Sequence, residues 1–121
     1  MAVTVRTFEG TFSGTEEVEL IPAPGFGARH TITNLTVFNR DTVSHTPTLE
    51  RYRSVAHFTS HEDEEYLPIV PDIELATGEQ LRLGGIVYVI DDHDTITGVL
   101  AAVKTTTDVS YWGTYLRESR R

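Results

Sequence analysis

His30 to Arg53 reads HTITNLTVFNRDTVSHTPTLERYR: two runs rich in Thr, Val, Ile, Leu and Phe, split by the polar segment Asn39-Arg40-Asp41-Thr42. β-Branched and aromatic side chains pack well on a pleated, half-buried surface, so the stretch predicts a long β-hairpin. Asn and Asp side chains bond nearby backbone and tolerate left-handed conformations, which gives the central segment its turn chemistry.

Working outward, the same pattern recurs. Val3, Val5 and Thr7 alternate with polar neighbours and predict a short first strand ending near Gly10. In Glu16–Ile21, Val18 and Leu20 share one face and Glu17 and Glu19 the other. Pro22-Ala23-Pro24-Gly25 stops that strand, because proline has no ladder donor and glycine permits the turn. Beyond the hairpin, Val55–Ser60 predicts a continuation or a further strand, and His61-Glu62-Asp63-Glu64-Glu65 an acidic loop. Tyr66–Val70, bounded by Pro68 and Pro71, suits an edge strand. Ile73 and Leu75 share a parity, Thr77-Gly78-Glu79 resets the chain, and Leu81 and Leu83 resume the alternation. Ile86–Ile90 is short and continuously apolar, as in a doubly buried strand or a sandwich core. Thr95–Thr107 fits both a helix and a strand; Gly98 and the Thr run favour the strand, in a hairpin with Val109–Tyr115. Short strands and regular turn signals predict an all-β fold, a single-domain antiparallel β-sandwich that is jelly-roll-like. Residues 1–14 form an N-terminal arm or first strand in this reading, 15–117 the sandwich, and 118–121 a basic tail.

A chain of 121 residues is expected to form one core. It has no cysteine, so disulfides and thiolate metal sites are excluded. No segment reads as a targeting peptide or a membrane span, and no membrane partner is expected. The net charge is −8, from 18 acidic and 10 basic residues. That balance argues against nucleic acid, which demands a positive footprint. Arg117, Arg120 and Arg121 concentrate positive charge near the end of the sequence, where a solvated tail is the ordinary reading.

No set of residues assembles a convincing active site. His57 and His61 are four apart, but Phe58 stands where a zincin helix needs glutamate, so a solvated acidic loop with two histidines explains them better. Asp91, Asp92 and Asp94 gather oxygens that suit calcium, without the order of an EF-hand; as turn formers closing a strand they need no metal. The five histidines include no His-x-His pair of the kind cupin enzymes use. Neither a Gly-x-Ser-x-Gly elbow nor a phosphate-binding Gly-x-x-x-x-Gly-Lys is present. Tyr111, Trp112 and Tyr115 would suit a sugar platform, but aromatics in strands serve more often in cores and subunit interfaces.

Several phrases in this order carry a resemblance: IPAPGFGA, then TITNLTVFNRDTVSHTPTL with its Asn-x-Asp-Thr, then Leu75-Ala76-Thr77-Gly78-Glu79-Gln80-Leu81, then IVYVIDDHDTITGVLAAVKTTTDVSYWGTYL. Over residues 16 to 117 the chain resembles the small β-sandwich virion proteins of tailed double-stranded DNA bacteriophages. The resemblance implies a non-enzymatic decoration, neck or tail component, without a catalytic residue or cofactor. It implies the major capsid protein or other virion proteins as partners and a place in the virion, without choosing among those positions; the acidic balance favours the outer capsid surface, and a homo-oligomer is expected, with a trimer favoured. A capsid cement protein is the leading expectation; a neck or tail component, or a carbohydrate-binding module, is the alternative. Residues expected at interfaces are Val3, Val5, Phe8, Phe12, Tyr111, Trp112 and Tyr115, with Ala2 to Phe12 as an arm reaching a neighbouring subunit.

Overall fold

A computed structural model describes residues 2–12, 16–25, 27–53, 65–69, 73–90, 94–100 and 108–119. They hold eight strands: β1 (Ala2–Thr11), β2 (Val18–Ile21), β3 (Ala28–Asn39), β4 (Pro47–Arg53), β5 (Glu65–Pro68), β6 (Gln80–Ile90), β7 (Asp94–Leu100) and β8 (Val109–Ser119). One sheet runs β1-β8-β3-β6 and the other β2-β7-β4-β5, with every pairing antiparallel. β1 pairs with β8, β2 with β7, β3 with β6 and β4 with β5. The chain is therefore one long hairpin, rolled so that β8 also meets β3 and β7 also meets β4. That is the jelly roll the strand pattern predicts.

The winding corrects two expectations. Residues 30–53 are not a hairpin: β3 and β4 lie in different sheets. Nor do β7 and β8 form one. Residues 94–100 are a strand, but β7 belongs to the second sheet and β8 to the first. Val55–Ser60, residues 61–64, Asp91, Asp92 and 101–107 lie outside the described residues. β5 is at the end of its sheet, as the prolines around it predict, and Ile86–Ile90 completes β6 at an end of the other.

Asn39 explains why β3 leaves its sheet instead of turning back. It is wholly buried, and its Nδ2 donates to the carbonyls of Val43 and Leu75, both at 2.9 Å. Its Oδ1 accepts from the Asp41 amide at 2.9 Å. The Asn39 amide donates to the Glu79 carbonyl at 3.1 Å, and its carbonyl accepts from the Gly78 amide at 2.7 Å. Every polar group of the residue is thereby satisfied at the crossover, and the chain emerges one layer away. Gly78 supports this from the other side, because its φ of 84° closes the Thr77-Gly78-Glu79 turn at little steric cost. The Glu79 carboxylate accepts from the Ala76 amide at 2.6 Å. The two phrases Asn-x-Asp-Thr and Thr-Gly-Glu, which start at Asn39 and Thr77, thus hold one corner together.

Between the sheets lie Phe12, Leu20, Ile21, Ile32, Leu35, Val37, Leu49, Leu75, Ile96, Val109, Tyr111 and Tyr115. β3 serves this core by changing parity. Ala28, His30 and Ile32 point inward, then Leu35, Val37 and Asn39 do. The register shift between Ile32 and Asn34 inserts Thr33 as a bulge against β8. Its Oγ1 donates to the Thr114 carbonyl at 3.1 Å, and Asn34 Nδ2 donates to Thr114 Oγ1 at 2.6 Å. Beside it, opposite Leu35, Gly113 has no room for a side chain, since a Cβ there would collide with the Asn34 carbonyl and the Phe8 ring.

Replacing Asn39 with Ala strips partners from two carbonyls and an amide, and is expected to cost about 2–4 kcal/mol in urea unfolding. Gly113→Ala is expected to cost about 1–3 kcal/mol through overpacking. Gly84→Ala, where nothing lies within 4 Å of a new Cβ, should stay within roughly 0.5 kcal/mol.

Candidate functional site

Strand alternation separates the seven residues expected at interfaces into two groups. Odd positions of β8 point inward and even ones outward, so Tyr111 and Tyr115 join Phe12 in the core while Trp112 faces solvent at 39% exposure. Phe8 is half-buried and packs on Tyr111 and Tyr115, with ring centroids 6.2 and 6.1 Å away. Val3 and Val5 point outward at 53% and 71% exposure. The structure thus brings Phe8, Phe12, Tyr111 and Tyr115 together inside and leaves Val3, Val5 and Trp112 on the outer face.

On that face Trp112 stands on the second strand of the sheet, opposite Glu9 of β1 and Thr36 of β3. The Phe38 ring meets it edge-on at 6.4 Å. Two hollows, of about 570 and 420 Å³, adjoin the indole, and Glu9 and Trp112 line both. The larger is also lined by Phe38, Ser110 and Arg40, whose Nη2 donates to Ser110 Oγ at 3.1 Å. The smaller is also lined by Thr7, Asn34 and Thr114. The arrangement offers one aromatic surface with a carboxylate, a guanidinium, an amide and hydroxyls around it. Glu9, Asn34, Phe38 and Arg40 were not singled out in the sequence. Strand parity is the signal that would have found Glu9, since it shares the outer face with Val3 and Val5.

A second polar group sits inside the sandwich. His30 is buried under the Tyr115 ring, whose centroid is 4.5 Å away. Arg117 Nη1 donates to the Pro24 carbonyl at 2.7 Å and lies 3.3 Å from His30 Nε2. Arg117 is therefore part of β8 and tied into the fold, and its neighbour Glu118 pairs with Arg29 at 2.7 Å. Burial first, then the Arg117 charge, lower the His30 pKa to about 4; the Pro22 carbonyl opposes the shift and the Arg6 charge adds to it. That carbonyl lies outside hydrogen-bond geometry, so Nδ1 is left without a partner among the described residues. Burial, then the Glu19 carboxylate, push the Tyr111 phenol up. At the corner, His45 Nε2 meets Asp41 Oδ2 at 2.7 Å.

Among the described residues no three His, Cys, Asp or Glu side chains gather as a metal site. Of the acidic trio Asp91, Asp92 and Asp94, only the backbone of Asp94 is described, at the start of β7. No helix among them is long and apolar enough to cross a membrane.

No family model matches the chain, and no curated protein matches it. Its fold is similar to the CBM22-1 xylan-binding domain of Xyn10C from Paenibacillus barcinonensis, at 11% identity and a TM-score of 0.45, over 98% of this chain and 83% of that one. It is also similar to a chain of the cyanophage Pam1 capsid asymmetric unit, at 12% identity and a TM-score of 0.38, over 95% and 84%. A chain of the virus-like particle of extra small virus from the prawn Macrobrachium rosenbergii gives 9% identity and a TM-score of 0.37, over 99% and 80%. At these distances no residue of those proteins passes to this chain.

The His30 imidazole holds fewer protons folded than unfolded between pH 6.5 and about 4, so acidification through that window favours the unfolded chain. Stability is expected to be retained above pH 6.5 and to fall toward pH 4, with a His30 share of at most roughly 3 kcal/mol. Urea midpoints measured across this range should fall less steeply for His30→Gln than for the parent.

Proposed function

We propose that this chain is a non-enzymatic structural protein of a phage particle, a capsid decoration protein that binds across capsid subunits from outside. The observation that carries this reading is the outer face of the β1-β8-β3-β6 sheet. Trp112 stands there half-exposed, backed by Phe38, with Glu9 and Arg40 at the margins. Interfaces concentrate their energy in aromatic and arginine anchors surrounded by polar rims, and this face has that composition. The Asn-x-Asp-Thr and Thr-Gly-Glu phrases of the resemblance are accounted for by the Asn39 corner, which leaves them a structural role. The net charge of −8 suits an outward position better than contact with packaged DNA. A neck or tail position uses the same kind of contact and differs in copy number.

A second reading has its own observation. A partly exposed indole beside Asn34, Thr114 and Glu9 offers a stacking surface and hydrogen-bonding groups to a sugar. Trp112 is the only tryptophan, so its fluorescence reports on this face.

Mass spectrometry of purified virions followed by electron cryo-microscopy is the test. Many copies over the capsid lattice are the expected result; a few at one vertex move the protein to the neck or tail, and absence from particles overturns the reading. Trp112→Ala is expected to weaken attachment to particles lacking the protein by 30-fold or so, the size of an aromatic hot spot of about 2 kcal/mol. A fluorescence change of Trp112 on titration with xylohexaose, with no attachment to particles, favours the sugar reading.

A further inference from the structure

Two four-stranded sheets have four end strands, and three of them carry features that discourage pairing with another chain. β2 has four residues and a register shift between Glu19 and Ile21. β5 has four and ends at Pro68. β6 is long, but its register with β3 breaks where Gly84 and Gly85 stand. β1 differs on each count. It runs for ten residues, Ala2–Thr11, without proline, in ten consecutive pairs with β8. Its other side pairs with no strand among the described residues. A long, regular edge presents a row of unpaired N–H and C=O groups, which natural proteins normally blunt.

β1 also carries the two most exposed large apolar side chains among the described residues, Val5 and Val3. We propose that β1 pairs antiparallel with β1 of a second copy about a two-fold axis at Val5, joining two sheets into one of eight strands.

The register follows from elementary constraints. Opposed residues in a ladder share a face, so a two-fold axis normal to the sheet must place some residue opposite its own copy. Centring on Arg6 sets two guanidinium groups opposite each other, which is unfavourable. A Thr7 centre places Glu9 across from Val5, and a Thr4 centre aligns only residues 2–6. A Val5 centre aligns residues 2–8 and lays Val3, Val5 and Thr7 of one strand against Thr7, Val5 and Val3 of the other. These are β-branched pairs on one face, with Arg6 opposite Thr4 on the other face. This two-fold pair replaces the trimer expected from the sequence. It concerns the purified chain alone, so absence from virions leaves it standing.

The chain has no cysteine, which makes single-cysteine variants clean probes. Val5→Cys is expected to give a covalent dimer under mild oxidation, because directly opposed Cβ atoms lie roughly 4.5–5.5 Å apart and small backbone adjustments reach disulfide geometry. Glu9→Cys, whose copy would lie roughly 27 Å away along the ladder, is expected to form no covalent dimer under the same treatment. Light scattering across a dilution series should give twice the chain mass at the upper end, and the exposed double variant Val3→Lys, Val5→Lys, with unchanged Trp112 fluorescence, should give the monomer mass throughout. A parent that stays monomeric, a strictly trimeric mass, self-association that survives the lysine variant, or equal cross-linking at positions 5 and 9 would each overturn the proposal.

Discussion

The buried amide of Asn39 is the interaction on which the winding depends. Six of the seven connections in a hairpin rolled this way pass from one sheet to the other, and each passage takes backbone polar groups out of a ladder. Asn39 supplies a side chain that replaces the lost ladder at the β3–β4 crossing and also binds the approach to β6. His45 then pairs with Leu75 through both backbone groups, and Asp41 caps the turn through the Thr42 amide and His45. One residue thereby fixes the depth of the sandwich at the place where the chain changes layer.

The strands were legible in the sequence because period-two alternation is local. β2, the edge character of β5 and the strand at 94–100 all follow from parity, proline and glycine within a few residues. The pairing was not legible. Partners such as Val3 and Glu118 are separated by most of the chain, and only β4 and β5 are both consecutive and paired. A polar segment between two strand-like runs looks like a hairpin turn until something commits its chain ends to different sheets. Here that something is a buried asparagine whose side chain bonds Leu75 and whose backbone bonds Gly78 and Glu79, partners that lie far along the chain.

The site shows the same division. Grouping Tyr111, Trp112 and Tyr115 as one aromatic cluster ignores that neighbours in a strand face opposite ways. Counting parity from Gly113, which must face inward against Phe8, sends the two tyrosines to the core and the tryptophan to solvent. The Thr33 bulge was also written in the sequence, as the odd spacing between Ile32 and Leu35 of two residues that must both face the core. Glu9, Asn34, Phe38 and Arg40 required the sheet order, since they come from β1, β3 and the corner beyond it.

The exposed face and the open edge belong to one sheet, and this links them. In the paired arrangement the two copies of β8 are separated by two β1 strands, so their axes are roughly 14 Å apart. The two-fold axis is normal to the sheet, so both copies of Trp112 stand on the same side of one eight-stranded surface. A partner with repeated features then meets two anchors at once, and the second contact forms at a high effective concentration. Each Trp112 face can bind modestly while the pair binds firmly. For a small jelly roll that keeps the Phe8, Phe12, Tyr111 and Tyr115 rings in or against its core, an edge left open on β1 is the simplest way to enlarge the surface it presents.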